Sequence, residues 1–457
     1  MGSGNVIGDM IGGRRRAVRR RSRCTGVVVA VGALIAGAVA ASPPGMAESG
    51  SCGTHFVASW LASPTDAISP VDASGGPIPL TVDDQTFRMV ISPHLGGSEV
   101  RIHLTNRFGL TPVTFGQVNV GVQTAAAAVR DPQPVRFGGK TSITVPAGGD
   151  MISDPVALRF NAFTPLAVSI YVPGSAGPPT KHWNANATSY YSPPRSGDLT
   201  GRTDGRGFGA TTGSWLYLSG LDVAASGPQR AIVAFGDSIT DGFVSSTPLS
   251  VPADRAVADT NGRYPDRLQH ILDRAGIPIS VVNAGIGSNR LLASGEPLML
   301  GPSALERFDH DALNQAGVAG VLLQEGINDL GLLPRPDADQ MIAGYRQLIA
   351  RAHARGIKIW LGTLLPASNA IVDGRALAPN SEATRQRINS WIRTQHDADG
   401  VVDFDAALRD PADPAVLQAA DSSVDHLHPG PHGYQAMADA VDPSMLTTTT
   451  ENSCHPS

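Results

Sequence analysis

The chain has 457 residues, enough for two domains with separate cores. Apolar residues make up 42% and charged residues 16%, which excludes an intrinsically disordered chain, while 51 Gly and 35 Pro imply many turns. The formal net charge is −5, and without the first 40 residues, which hold seven Arg and one Asp, it becomes about −11. So acidic a remainder lacks the basic surface that nucleic-acid binding needs, and no nucleic-acid partner is expected.

Residues 1–41 read as a signal peptide. Arg14, Arg15, Arg16, Arg19, Arg20, Arg21 and Arg23 form a basic block, and Thr25 to Ser42 is apolar and uncharged. Ala38-Val39-Ala40 supplies a small-x-small cleavage signal. Cleavage would leave no stable membrane span and a secreted protein. An uncleaved N-terminal anchor is the alternative, since the apolar run is nearly long enough to cross a bilayer. Beyond the segment only Cys52 and Cys454 remain, and in an oxidising compartment they form a candidate disulfide.

Residues 52–225 show period-two patterning. Val100, Ile102 and Leu104 alternate with polar residues, as do Val118, Val120 and Val122, then Leu166, Val168, Ile170 and Val172. Short alternating runs between turn-forming clusters predict an all-β sandwich or jelly roll. The Gly-rich stretch Thr200–Gly213 reads as a linker. Trp60, Trp183 and Trp215 are candidates for stacking on sugar rings, with core packing as the commoner role.

After Gln229 the pattern changes. Ile232–Phe235, Ile279–Val282, Val321–Leu323 and Ile357–Leu361 are short continuous apolar runs, and Val401–Phe404 offers a fifth. Helical patterns lie between them. In the clearest, Met341, Ile342, Tyr345, Leu348, Ile349 and Ala352 share a face between Asp337 and Gly356. Buried strands alternating with helices predict an α/β domain over 229–445, a parallel sheet with helices on both faces. Residues 446–457 read as a tail.

Functional residues of such sheets lie beyond the carboxyl ends of the strands. The first run is followed by Gly236-Asp237-Ser238-Ile239-Thr240-Asp241-Gly242, and the second by Asn283-Ala284-Gly285-Ile286-Gly287-Ser288-Asn289-Arg290. Gln324-Glu325-Gly326-Ile327-Asn328-Asp329 follows the third, and Asp425-His426-Leu427-His428-Pro429 lies near the end. These are the parts of an acyl-transfer site. Ser238 is the candidate nucleophile, His428 the base that takes its proton, and Asp425 the group that orients the imidazole. The oxyanion needs preorganised donors, for which the candidates are the backbone N–H of Ser238, that of Gly287 or Ser288, and the Asn328 amide. Asp237, Asp241 and Arg290 are candidates for substrate contact or for fixing loops. The set requires no cofactor and no metal. A His426–His428–His432 metal cluster is the competing reading, but it leaves the serine block without a role.

With these motifs, Ala231 to about Val441 resembles the SGNH/GDSL hydrolase family of esterases and lipases. Gly236-Asp237-Ser238-Ile239 is similar to its first block, Gly326-Ile327-Asn328-Asp329 to its Gly-x-Asn-Asp block, and Asp425 to His428 to its Asp-x-x-His block. The resemblance implies a flavodoxin-like α/β fold, Ser238 as nucleophile, Asn328 as oxyanion donor, and His428 with Asp425 as base and partner. Its oxyanion glycine falls at Ser288, a departure that matters because a turn needing positive φ suits Gly better than Ser. The leading β-domain resembles that of larger exported bacterial members, acyl and carbohydrate esterases among them.

The expected function is hydrolysis of carboxylic esters outside the cell. Short acyl groups on polysaccharide rank first as substrate, then lipid or aryl esters. A weakly active glycan-binding protein and an acyltransferase using the same residues are the alternatives. Acyl length, alcohol and oligomeric state are left open.

Overall fold

The computed structural model describes residues 54–447 apart from 296–297. The expected signal peptide, Cys52 and Cys454 with their candidate disulfide, and the last ten residues lie outside the described residues.

The β-part is built on two large antiparallel sheets, with two two-stranded pairs beside them. In one, His55–Leu61, Leu218–Ala225, Gly97–Thr105 and Asp150–Ile152 lie side by side, with Val156–Phe160 also paired to Gly97–Thr105. In the other the order is Ala210–Thr212, Ser189–Tyr191, Val82–Ile91, Leu166–Ala176, Gln117–Ala125 and Ala128–Pro134. The alternating residues Val100, Ile102, Leu104, Val118, Val120, Leu166, Val168, Ile170 and Val172 fall into one buried cluster. Period-two side chains from facing sheets make this core, as in a sandwich. Trp60 and Trp215 meet edge to face within it, at 4.8 Å between ring centroids.

The stretch Thr200–Gly213 is not a linker. Ala210–Thr212 pairs with Ser189–Tyr191, so the Gly-rich segment is a loop inside the β-part. The passage out runs from Ala225 to Arg230, where the next strand begins. His55–Leu61 also serves both parts, since Val57, Ala58 and Leu61 belong to the core of the α/β portion.

The α/β portion has five parallel strands: β1 (Arg230–Gly236), β2 (Ile279–Gly285), β3 (Val318–Gln324), β4 (Lys358–Gly362) and β5 (Gly400–Val402). Their order is β2-β1-β3-β4-β5, the flavodoxin-like arrangement. Every residue of β2 is buried, and all but Arg230 in β1. Because successive side chains point to opposite faces, burial of all of them means that both faces are covered. The covering helices are α1 (Ser238–Asp241), α2 (Tyr264–Arg274), α3 (Ala304–Phe308), α4 (Ile327–Gly331), α5 (Ala338–His353), α6 (Ser381–Thr394), α7 (Phe404–Leu408) and α8 (Pro431–Asp439). Helix α5 is the one read from its apolar face. Asp337 caps it in a reciprocal box with Gln340, which satisfies N–H groups that the first turn leaves open.

Two further expectations need correction. Phe404 does not extend the fifth strand but begins α7, capped by Asp403. The tail does not start at 446, because Leu446 is fully buried in the α/β core within the helix Pro443–Thr447.

Candidate active site

Register brings the motifs together. Gly236, the last residue of β1, pairs with Gly285 of β2 on one side and Gln324 of β3 on the other. The three strands therefore end level, and Ser238, the 286–289 turn and Asn328 emerge at one edge. The chain order reverses direction across β1, and the crevice beyond such a switch point is where α/β sheets bind ligands.

Ser238 opens α1 immediately after the strand. Asp237 caps that helix by accepting from the Ile239 N–H at 2.9 Å. Close approach explains two glycines. A Cβ on Gly236 would lie 2.0 Å from the Gln324 carbonyl oxygen, and one on Gly285 would lie 2.3 Å from the Asp241 nitrogen. Only a residue without a side chain lets the turn sit this tightly on its neighbours.

The candidate base, His428, arrives from the distant end of the chain. His428 Nε2 is 2.8 Å from Ser238 Oγ, and its Nδ1 is 2.6 Å from Asp425 Oδ2. A carboxylate at Nδ1 holds the proton there and leaves Nε2 free to accept from the serine hydroxyl. Asp425 Oδ1 in turn accepts from Ser423 Oγ at 2.7 Å and from the Leu427 and His428 N–H groups. Burial opposes ionisation of Asp425, yet the hydrogen bond and charge of His428 hold its carboxyl well below the usual range. His432 is bonded instead to Asp421, apart from this chain of contacts.

The candidate oxyanion donors lie at the same edge. Among the described residues no backbone acceptor meets the N–H of Ser238, Gly287 or Ser288. The Asn328 amide gives one hydrogen to the Asn289 carbonyl at 2.9 Å and retains a second. Ser288 has φ 56°, the left-handed region that the departure from Gly put in question. Serine occupies it at a cost of roughly 1–2 kcal/mol, so the turn keeps its shape without Gly.

The remaining candidates fix loops. Asp241 accepts from Asn184 Nδ2 at 3.2 Å and faces His182 Nε2 at 3.1 Å. Arg290 donates to the carbonyls of Leu333 and Ser294. Asp329, beside Asn328, accepts from the N–H groups of Leu291 and Leu292.

Two features carry no motif. Arg307 is fully buried and donates to the carbonyls of Gly236 and Ala284 at 2.8 and 2.7 Å and to Asn289 Oδ1 at 2.8 Å. It thereby ties the ends of β1 and β2 to the oxyanion turn. The other is an aromatic pair: Phe243 lies 4.8 Å from the His428 ring and parallel to Trp183, which comes from the β-part. A basic residue in a short helix and an aromatic after a strand give no local signal of such roles.

Buried carboxyls surround the site. Burial pushes Asp329 up to about 6 and Asp373 up to about 7. Asp373 Oδ1 has no hydrogen-bond partner among the described residues. Its folded-state pKa lies above the ordinary value, so between about pH 4 and 7 the folded chain holds a proton that the unfolded chain releases, and stability falls as pH rises. Asp373→Asn should therefore be more stable than wild type at pH 8, by up to about 4 kcal/mol, with the gain vanishing towards pH 4. Urea midpoints at the two pH values measure this, and an equal difference at both would refute it.

Residues 234–436 match the family model for GDSL-like lipases and acylhydrolases. This part of the chain is similar to that family over 234–436. The match supports esterase activity as the general class. Solved structures similar to the chain include the native aryl esterase of M. Smegmatis, at 15% identity over 46% of this chain and 95% of that one, TM-score 0.38. A family two carbohydrate esterase from Cellvibrio japonicus aligns at 14% identity over 87% of this chain and 98% of that one, TM-score 0.35. A GDSL-like lipase from Bacteroides thetaiotaomicron VPI-5482 aligns at 18% over 48% and 89%, TM-score 0.35. No curated protein matches the chain.

Proposed function

We propose that the protein is an exported serine esterase that hydrolyses carboxylic esters. The observation that carries this reading is the continuous contact from Ser238 Oγ through His428 to Asp425, at 2.8 and 2.6 Å. In the proposed cycle His428 takes the Ser238 proton as Oγ attacks the ester carbonyl. The resulting oxyanion is met by the N–H of Ser238, the N–H of Ser288 or Gly287, and the Asn328 amide. His428⁺ then protonates the departing alcohol, and water repeats the sequence on the acyl-enzyme.

Among substrates, esters with an apolar portion, lipid or aryl, come before short acyl groups on polysaccharide. Leu249, Val251, Leu298, Leu333, Ile371 and Leu377 are exposed in the segments that follow β1 to β4 in the chain, and Val424 is exposed just before Asp425. Exposed apolar side chains in these segments support an apolar substrate group. The left-handed Ser288 supports catalysis over the glycan-binding alternative, whose motivation is Ser at the position of the family's glycine.

A fluorophosphonate should label Ser238 and abolish p-nitrophenyl acetate hydrolysis. Labelling of another serine with parallel loss of activity would overturn the nucleophile assignment. Export rests on the basic block and apolar run of the N-terminal segment. The protein recovered from culture medium should lack about 40 residues by intact mass; a cell-bound chain of full mass would point to the anchor instead.

A further inference from the structure

We propose that Trp183, contributed by the β-part, is a specificity-determining residue of the ester site, and that the segment carrying it is a wall of that site. The proposal rests on the esterase reading above.

The segment after strand Lys181–His182 is bonded along the nucleophile's loop. His182 and Asn184 hold Asp241, the last residue of α1. Asn186 Nδ2 donates to the Gly242 carbonyl at 2.7 Å, and the Arg263 guanidinium reaches the carbonyls of Asn184 and Ala185. Further along, Thr188 binds both carboxylate oxygens of Asp259 at 2.7 Å. The contacts span the loop from Asp241 to Arg263, so the β-part takes part in holding Ser238 in place.

Trp183 sits in the middle of this segment. A methyl group on Gly287 would lie 3.5 Å from the indole, which places the ring against the oxyanion turn. On its other side the indole runs parallel to Phe243, 6.4 Å between centroids and 8° between planes, and Phe243 touches the His428 ring. Trp183 and Phe243 thus bridge the oxyanion donors and the base. A reacting ester must place its carbonyl between those two groups, so one of its substituents passes this wall.

The wall is well packed. Trp183 is 8% exposed and Phe243 3%, with Ala73, Ala253 and Met299 packed around them. The indole N–H is fixed on the Val71 carbonyl at 2.8 Å, and Ser214 Oγ donates to the Trp183 carbonyl at 2.7 Å. A fixed aromatic surface limits the size of the group beside it. Shortening the side chain opens room next to the oxyanion turn without touching the triad.

The test uses the full chain and two substrate series, p-nitrophenyl esters of rising acyl length and acetate esters of alcohols of rising size. In Trp183→Ala the kcat/KM ratio of large to small substrate should rise about ten-fold or more in one series, the discrimination that one or two methylenes carry in an apolar pocket. Trp183→Phe, which keeps an aromatic ring and guards against misfolding of the smaller variant, should shift it part of the way. If both soluble variants scale every substrate by the same factor, Trp183 is structural only and the proposal falls. If wild type hydrolyses no ester in either series, or Ser238→Ala matches it, the esterase reading itself fails, a result distinguishable from an unchanged ratio in an active enzyme.

Discussion

Ser238→Ala should lower kcat on p-nitrophenyl acetate by roughly 10⁴–10⁶-fold while leaving KM within a few-fold of wild type. The nucleophilic oxygen is lost, and no neighbouring hydroxyl replaces it, since the protein group facing His428 Nε2 is Ser238 Oγ itself. The oxyanion donors survive the change. The Ser238 N–H belongs to the backbone, and Ser288 and Asn328 are untouched. Binding therefore persists, and a residual acceleration of about 10³–10⁴ over water is expected from donors and proximity alone. The fold should hold, because α1 keeps its Asp237 cap and the bond from the Phe243 N–H to the Ser238 carbonyl. Steady-state kinetics with near-ultraviolet dichroism as the folding control decide it. A kcat within ten-fold of wild type would remove Ser238 from the mechanism.

Arg307→Leu should destabilise the chain by about 3–5 kcal/mol, the usual consequence of stripping one partner from a buried ionic cluster. Arg307 faces Asp311 at 3.2 Å and Glu325 at 3.6 Å, and its guanidinium lies 3.9 Å from the Phe235 ring centroid. Leucine would fill part of the volume but strip Asp311 of a charged partner and Asn289 Oδ1 of its donor, while the Gly236 carbonyl keeps the Ile286 N–H. An unsatisfied buried acceptor adds its own desolvation cost. The same loss frees Asn289, whose carbonyl anchors the Asn328 amide, so kcat should fall more than KM rises. Arg307→Lys tests geometry against charge. A single ammonium cannot reproduce the planar fork that reaches three acceptors, so it should recover only part of the stability. Urea midpoints for the three proteins measure the effect, and an unchanged midpoint in the Leu variant would show that Arg307 is dispensable.

The two buried ionic features act differently on stability. Asp425 is ionised and bonded on both oxygens, so it contributes above its unfolded pKa and is lost only in strong acid. Asp373 lacks a partner on Oδ1 and costs more as pH rises. Removing each carboxylate should therefore move the stability profile in opposite directions at neutral pH.

Much of the site was legible along the chain because its signals are local. Four apolar runs mark β1 to β4, since strands buried on both faces need no alternation. Ser238 and Asn328 each follow such a run, and Asp425 lies three residues before His428. The order of these short motifs, and the rule that sites form beyond strand ends, suffice to bring them to one edge. What only the tertiary structure decided depends on partners far apart in the chain. Asp241 meets His182 across 59 residues and Arg307 meets Gly236 across 71, and neither side chain carries a period or spacing that announces the other. The positive φ of Ser288 belongs to the same class, because side-chain chemistry alone favours Gly there and only the bonded turn imposes the conformation on Ser. Trp183 was equally open between sugar stacking and core packing. Its place against Gly287 follows from how the β-part docks on the sheet edge, a long-range packing result that no window of sequence contains.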